Sequence, residues 1–192
     1  MSEARARLLR TASELFYAEG LHSVGVDRVV ATAGVTRATL YRHFPGKDDL
    51  VVAYLTQADE ALRARARDAR AQDLSPEDTI RTVGRAIADD IRSPGFRGCA
   101  FLNAAAEFPD PAHPVHQAVL RHRQWFLELI TELMIATGKP DPEPAARHFV
   151  MLRDGAMAAG CLTDPKPICE TFLRGVDGLL TYRSRDDRSV SP

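Results

Sequence analysis

The stretch Thr36–Lys47 concentrates side chains that can do chemistry, and it reads TRATLYRHFPGK. Hydroxyl, phenol, imidazole, guanidinium and ammonium groups follow one another in a single short run. Such groups can move protons in an active site, and they can also donate hydrogen bonds to the phosphates and bases of a nucleic acid. A solvated helix face is the third interpretation. The elements that hold these side chains decide among the three.

Two short helices are predicted around this stretch. The first covers about 26–33 and ends at Gly34, a residue that readily adopts the left-handed turn conformation. The second is capped by Thr36, runs to Phe44 and is terminated by Pro45-Gly46. Two short helices joined by a turn that contains glycine are typical of the helix-turn-helix geometry.

The second helix has two distinct sides when its residues are projected at about 100° per residue. Leu40 and Phe44 face the first helix, whereas the opposite arc carries Ala38, Thr39, Tyr41 and Arg42. A helix that is held by its back and presents small and hydrogen-bonding residues in front suits the major groove of DNA. On spacing alone, a solvated helix with a tyrosine lying on it stays open as the alternative.

Helical periodicity recurs along the chain and strand signals are nearly absent, so we predict an all-α protein of about nine helices. Long helices are expected from Lys47 to about Ala71 and over Pro114–Ala136. The penultimate and last helices are expected over Ala145–Leu162 and Lys166–Tyr182. The predicted organisation is a DNA-binding domain over 1–47, a helical body over 48–184 and a disordered tail over 185–192.

Composition narrows the class of protein. The chain has 192 residues, of which 45% are hydrophobic and 27% charged, and its formal net charge is −1. Its longest apolar runs are too short to span a bilayer, and the N-terminus resembles no signal peptide, so a cytoplasmic location with no membrane partner is expected. Up to Lys47 there are seven Lys/Arg and four acidic residues. That excess suits a DNA-contacting module, although chance also produces it.

The run GVTRATLYRHFPGKDDL closely resembles the recognition-helix signature of the TetR family of transcriptional regulators, roughly G-V-S-x-x-[TS]-L-Y-x-[HY]-F-x-x-K-x-x-L. The preceding LFYAEGLHSVGVDRVVATA is similar to the family's first two helices, so the resemblance covers about Leu8 to Tyr54. It implies a homodimeric regulator rather than an enzyme, without a cofactor. Such a protein binds a double-stranded palindromic operator, more often as a repressor, and is released by a small-molecule effector.

The resemblance also implies residue roles. Arg37, Ala38 and Thr39 are expected to meet bases. Tyr41, His43 and Lys47 are expected to contact phosphates, with Thr36 as the helix cap and Arg42 on the same outward arc. Where the family usually has Ser or Thr as the cap of the second helix, this chain has Gly25. Glycine is an acceptable cap, but no hydroxyl is available there for a phosphate contact.

The helical body is expected to bind the effector and to form the dimer. Its predicted pocket residues are Phe101, Asn103, Glu107, Phe108, Trp125, Phe126, Ile130 and Met157. Small residues in the penultimate helix and a matching face of the last helix favour close helix packing, which the resemblance implies is a four-helix dimer interface. The predicted interface residues are Gly155, Ala158, Ala159, Phe172, Gly175, Val176 and Leu179. Core packing is the alternative in both cases.

Two further chemistries were weighed against this interpretation. Cys99 opens a helix beside Arg97, where a thiol of lowered pKa would sense oxidants or electrophiles on the same DNA-binding scaffold. His113, His116 and His122 do not share a helix face, so no metal site is predicted. A helical-bundle enzyme is a rival from another class, and a non-specific architectural DNA binder is a third reading. No nucleophile–base pair supports the enzyme, and the near-zero net charge weakens the architectural reading.

Overall fold

The computed structural model describes residues 2–181, which form α-helices and no strand. The all-α prediction is therefore confirmed within this range. The predicted tail over 185–192 and the predicted last residue of the final helix, Tyr182, lie outside the described residues. In chain order the helices are α1 (Glu3–Glu19), α2 (Val26–Ala33), α3 (Arg37–His43), α4 (Lys47–Arg70), α5 (Pro76–Arg92), α6 (Ala100–Glu107), α7 (Pro114–Ala136), α8 (Pro142–Ala159) and α9 (Pro165–Thr181).

Side-chain caps explain where three of these helices begin. Ser2 Oγ accepts a hydrogen bond from the backbone N–H of Arg5, at 3.3 Å, at the start of α1. Thr36 and Ser75 act in the same way at the starts of α3 and α5, each with a backbone N–H at 3.1 Å. Each cap satisfies a backbone donor that the first helical turn leaves without an internal partner.

Helix α8 begins and ends about three residues earlier than predicted, because its first turn contains two prolines. Pro142 and Pro144 were read as part of a loop. Proline is tolerated in the first turn of a helix, where its missing N–H would have no intrahelical acceptor. Gly160 is the C-terminal cap of this helix. A Cβ built on this glycine would lie 2.6 Å from Cγ2 of Ile91, so only glycine fits without movement of α5.

The described chain divides into two compact units. The first contains the chain up to Arg63 together with Cys99–His122, and the second contains Ala64–Gly98 and the chain from Arg123 onwards. The boundaries therefore fall within α4 and α7. This division differs from the predicted one at Lys47, because α6 and the first part of α7 belong with the helix-turn-helix.

The core of the first unit is built on the apolar stripe of α1. Leu8 and Ala12 are fully buried, and Phe16 packs at 6.0 Å, between ring centroids, from Tyr54 of α4. Leu40 of α3 and Leu50 of α4 are also fully buried. These residues join α1, α3 and α4 to one core, which fixes the back of the helix-turn-helix.

The second unit is organised around α9, which packs on both α5 and α8. Val176 of α9 lies close to Gly84 of α5, where a Cβ would be 3.6 Å from its methyl groups. Phe149 of α8 is fully buried and meets Phe172 of α9 edge-on, with ring centroids 6.1 Å apart. Two sides of α9 are thus used inside this unit.

Among the described residues, we find no helix that combines the length and the apolar character needed to cross a membrane.

Candidate nucleic-acid interface

The turn between α2 and α3 holds the two helices in the predicted helix-turn-helix arrangement. Gly34 adopts the left-handed conformation, with φ of 62°, and its N–H bonds to the carbonyls of Val30 and Ala31. The N–H of Val35 then donates to the carbonyl of Val30 at 3.1 Å. A residue with a Cβ is strained at this φ, so glycine suits the sharp turn into α3.

The two sides of α3 differ as predicted. Leu40 is fully buried, and Phe44, just after the helix, is 2% exposed. The guanidinium of Arg5 lies over the Phe44 ring at 5.0 Å from its centroid. The outward side chains are exposed, and they are Arg37, Ala38, Tyr41 and Arg42. A rigid back and an open front are the geometry that a recognition helix needs.

The remaining predicted DNA-binding residues lie at the edges of this face. Thr39 is half-buried, and its hydroxyl lies 3.0 Å from that of Thr36. His43 is also half-buried, with Nε2 3.2 Å from Ser2 Oγ. Lys47 donates from Nζ to the carbonyl of His22 at 3.3 Å. All eight predicted residues therefore lie in α3 or directly beside it, and Thr36, Thr39, His43 and Lys47 also have hydrogen-bond partners within the protein.

An ion pair on this face was not predicted. Arg37 donates from Nε and Nη2 to the two carboxylate oxygens of Asp27, both at 2.5 Å, so the pair is bidentate. Both side chains are well exposed. The hydrogen bond from Arg37 lowers the pKa of the Asp27 carboxyl, and the same bond raises the pKa of Arg37. In the sequence Asp27 is only one of the four acidic residues up to Lys47, and nothing in its local pattern indicates a pairing with Arg37.

The loop between α1 and α2 is held by a residue that was predicted to line the pocket. Glu107, at the end of α6, accepts hydrogen bonds from the backbone N–H groups of Leu21, at 2.9 Å, and His22, at 2.6 Å. The His22 Nε2 in turn lies 2.8 Å from the carbonyl of Glu107, and its ring lies 4.7 Å from that of Phe108. The carboxylate of Glu107 is thus engaged by the loop between α1 and α2, and its place in an effector pocket stays a prediction.

The other predicted pocket residues of the first unit have different surroundings. Phe101 is 2% exposed and stacks on the imidazole of His122, with centroids 3.6 Å apart. Phe108 is also buried, with its ring centroid 4.7 Å from that of His113. Asn103 is exposed. Phe101 therefore contacts a buried polar side chain, whereas Asn103 lies at the surface.

A buried polar cluster in this unit was also missed. His122 is 1% exposed, and its Nδ1 lies 2.7 Å from Oδ1 of Asp59. Asp59 accepts a second hydrogen bond, at 2.6 Å from Nε of Arg63. His122 was considered only as a metal ligand, because nothing local in the sequence links α7 to a carboxylate on α4.

The predicted pocket residues of the second unit contribute to an aromatic cluster. Trp125 and Phe126 are half-buried and adjacent, and Phe126 also approaches Phe149, at 6.3 Å between centroids. The guanidinium of Arg153 lies 5.1 Å from the Phe126 centroid. Ile130 and Met157 are buried. Aromatic and aliphatic side chains with one cation nearby are compatible with binding a mostly apolar ligand, and equally with ordinary core packing.

A separate cavity of about 400 Å³ opens in the second unit, around the loop between α7 and α8. It contains none of the eight predicted pocket residues. Its lining residues are Met134, Thr137, Lys139, Pro140, Asp141, Pro142, Pro144, Ala145, His148, Gly178 and Leu179.

The predicted dimer interface divides into two groups. Gly155 and Ala158 are exposed, and Ala159, Gly175 and Leu179 are half-buried. Phe172 and Val176 are 2% and 1% exposed and belong to the core of the second unit, so their side chains are not available to a partner. The face of α9 that carries these two residues packs on α5 and α8, and the dimer interface itself stays a prediction.

The three cysteines differ in exposure. Cys99, considered as a possible sensor thiol, is 5% exposed. Cys169 is buried and donates from Sγ to the carbonyl of Ala88 at 3.4 Å, and burial raises the pKa of its thiol. Cys161 is exposed, and partial desolvation raises the pKa of its thiol, an effect that Arg97 opposes. No disulfide joins these three, all of which lie in the described range.

The fold and this face define a class of protein, the helix-turn-helix DNA-binding regulators. Residues 8–54 match the family model described as bacterial regulatory proteins, tetR family. SCO4454, a TetR-family transcriptional regulator from Streptomyces coelicolor, is 65% identical to this chain in sequence; the match covers 94% of this chain and 95% of SCO4454, with a TM-score of 0.91. This chain belongs to the TetR family of transcriptional regulators.

Curated relatives agree with this assignment. The HTH-type transcriptional regulator SrpR of Pseudomonas putida is 33% identical over 132 residues, which cover 69% of this chain and 60% of SrpR. The HTH-type transcriptional regulator YjdC of Escherichia coli is 20% identical over 181 residues, covering 93% of this chain and 94% of YjdC. The predicted function, a DNA-binding transcriptional regulator, is thereby confirmed.

Proposed function

We propose that this regulator is a repressor that binds a palindromic operator as a homodimer and is released by a small-molecule effector. The observation that carries the proposal is the face of α3, where exposed Arg37, Tyr41 and Arg42 stand on a helix whose Leu40 is fully buried. A dimer would bring two such helices to half-sites about 34 Å or more apart.

The exposed side of α8 supports the dimer. Met151 is 69% exposed and Leu162, just after the helix, is 85% exposed. Gly155 and Ala158 lie between them, and intervals of four and three residues put Met151, Gly155 and Ala158 on one stripe of the helix, with Leu162 just beyond its end. An apolar stripe with small residues permits close approach of two helices. We therefore assign the interface to this stripe of α8 in place of Phe172 and Val176.

Helix α6 supports a route by which an effector would act on DNA binding. Phe101, near its start, stacks on His122, and Glu107, at its end, holds the loop before α2. An effector that displaces Phe101 would move α6 and loosen the hold of Glu107 on this loop. The effector must prefer the released state, because only a difference in affinity shifts a two-state equilibrium. That shift would reset the spacing of the two recognition helices through α4.

Selection from a randomised double-stranded DNA library tests the regulator and its operator. The full-length dimer should enrich a two-fold symmetric sequence. Arg42→Ala should then weaken binding to the enriched duplex in an anisotropy titration, whereas Arg174→Ala, which removes an exposed arginine of α9, should leave it unchanged. Enrichment of no sequence would contradict the proposal. A reporter whose promoter overlaps the enriched sequence should lose output when the protein is expressed, as a repressor requires.

Intrinsic fluorescence tests the effector. Trp125 is the only tryptophan of the sequence, and it lies in the aromatic cluster of the second unit. Titration with a panel of small aromatic and aliphatic compounds should identify molecules that change its emission saturably. The same molecules should release the labelled operator over the same concentration range. Fluorescence changes that never accompany release would contradict a role for this cluster in effector sensing.

A further inference from the structure

The ion pair between Asp27 and Arg37 leads beyond a general DNA-binding face. Arg37 is the first residue of α3, and Asp27 is the second residue of α2. A cation at a helix N-terminus is disfavoured by the helix dipole, whereas an acid in the first turn is favoured. Asp27 therefore offsets the positive charge of Arg37, which the dipole of α3 disfavours at this position.

The geometry of the pair leaves one edge of the guanidinium available. Asp27 engages Nε and Nη2, which form the side edge of the arginine fork. A guanidinium has five N–H donors, so one hydrogen on Nη1 and the second on Nη2 still point in parallel from its far end. Two parallel donors in that arrangement match N7 and O6 of guanine in the major groove.

We propose that Asp27 is a specificity-determining positioning residue, which holds Arg37 so that its far edge reads a guanine in each half-site of the operator. This inference rests on the proposed function. The carboxylate fixes the plane of the guanidinium before DNA binds, so less rotamer entropy is lost on contact. It also neutralises Arg37 locally, which keeps the side chain from settling on a phosphate at any sequence.

The inference predicts opposite changes in two properties when the pair is broken. Asp27→Asn removes the charge and one acceptor, so Arg37 becomes free to bind phosphate. Preference for guanine should fall, while affinity for unrelated DNA should rise. The salt dependence should steepen by about 0.9 in log–log slope for each protomer that gains a phosphate contact.

The test uses the full-length dimer and the duplex enriched by selection. Each G·C pair of the half-site is replaced in turn by A·T, and guanine by 7-deazaguanine, which lacks N7. At the position read by Arg37, wild type should lose about 5- to 150-fold in affinity. Arg37→Ala should abolish this penalty, and Asp27→Asn should reduce it by about 2- to 12-fold, as expected when one hydrogen-bonded anchor is lost.

Glu19→Gln is the matched control, because Glu19 pairs with Arg28 at 2.7 Å in the same unit and both are exposed. This change also removes one negative charge and releases one arginine, so it should steepen the salt dependence while leaving base preference intact. In the Arg37→Ala background, Asp27→Asn should have no further effect on base preference. Circular dichroism melting checks that each variant folds.

Three results would overturn the inference. One is a full guanine penalty in Asp27→Asn, and another is the absence of any position whose penalty disappears in Arg37→Ala. In both cases selection still enriches an operator, so these results do not contradict the proposed function. The third is a wild-type protein that enriches no sequence, and this result removes the proposed function together with the inference.

Discussion

Two exposed helix faces, on α3 and on α8, are built alike and differ in what they present. Each helix is held by fully buried side chains, Leu40 in α3 and Phe149 in α8. The front of α3 presents arginine and tyrosine donors, whereas the front of α8 presents Met151, glycine and alanine. Donors suit phosphates and base edges, and small apolar residues suit another helix. The contrast teaches that the chemistry of the outward side chains, rather than the way a helix is anchored, distinguishes the two proposed partners.

Met151→Glu changes the exposed face of α8 and should have the largest effect on operator affinity. A carboxylate introduced into the proposed apolar interface would be desolvated without a partner, so the dimer should dissociate. Light scattering should then give the mass of one chain, and affinity for a two-half-site operator should fall by about 10²–10⁴-fold as the linked second contact is lost.

Leu74→Glu is the control for this change, because Leu74 is a 41% exposed residue of the loop between α4 and α5. It introduces the same carboxylate away from α8 and should leave both mass and affinity unaltered. A dimeric Met151→Glu protein would exclude α8 as the interface.

Leu40→Ala and Tyr41→Ala separate the back of α3 from its front. Leu40 is fully buried, so its truncation should lower the free energy of unfolding by about 2–5 kcal/mol. Tyr41 is 50% exposed, and its truncation should change stability by less than about 0.5 kcal/mol while weakening DNA binding. Urea unfolding and anisotropy titrations measure the two properties. Loss of stability in Tyr41→Ala would mean that its ring packs rather than recognises.

The elements of both faces were predictable from local sequence, since caps, periodicity and the left-handed turn at Gly34 act within a few residues. Helices α2 and α7 match their predicted bounds, and α8 shifted only because prolines in its first turn were read as a loop. The residues of α9 that face a partner could not be chosen from local sequence in the same way. A helix that packs on two neighbours has buried residues on more than one side, and periodicity does not say which side a partner covers.

Contacts between distant segments could not be read from the sequence. Glu107 meets a loop that precedes it by more than eighty residues, and Asp59 meets His122 across 63 residues. Asp27 and Arg37 lie closer in sequence, but their contact depends on the angle between α2 and α3. Such pairs exist only once the helices have packed, and they account for the residues that sequence analysis missed or placed in other roles.

Glu107→Gln tests how strongly the α3 face depends on support from α6. The amide is neutral and keeps only one acceptor oxygen, so both loop N–H groups would lose a charged partner and one of them would face an NH2 group. We expect a loss of about 1–3 kcal/mol in the free energy of unfolding of the first unit, with faster hydrogen exchange at Leu21 and His22. Ala106→Ser, on the same helix and exposed, is the control. Unchanged exchange at both amides would contradict the clamp.

Lys47→Ala should have the smallest effect of these variants. It distinguishes a side chain that contacts phosphate from one that recognises bases. Its ammonium lies at the edge of the α3 face, where it is expected to meet a phosphate. The variant should bind the operator and unrelated DNA more weakly by the same factor, and its log–log salt slope should fall by about 0.9 per protomer. Lys166→Ala, an exposed lysine of α9, should leave the slope unchanged. A change in base preference on removing Lys47 would show that this edge of the face reads sequence as well as backbone.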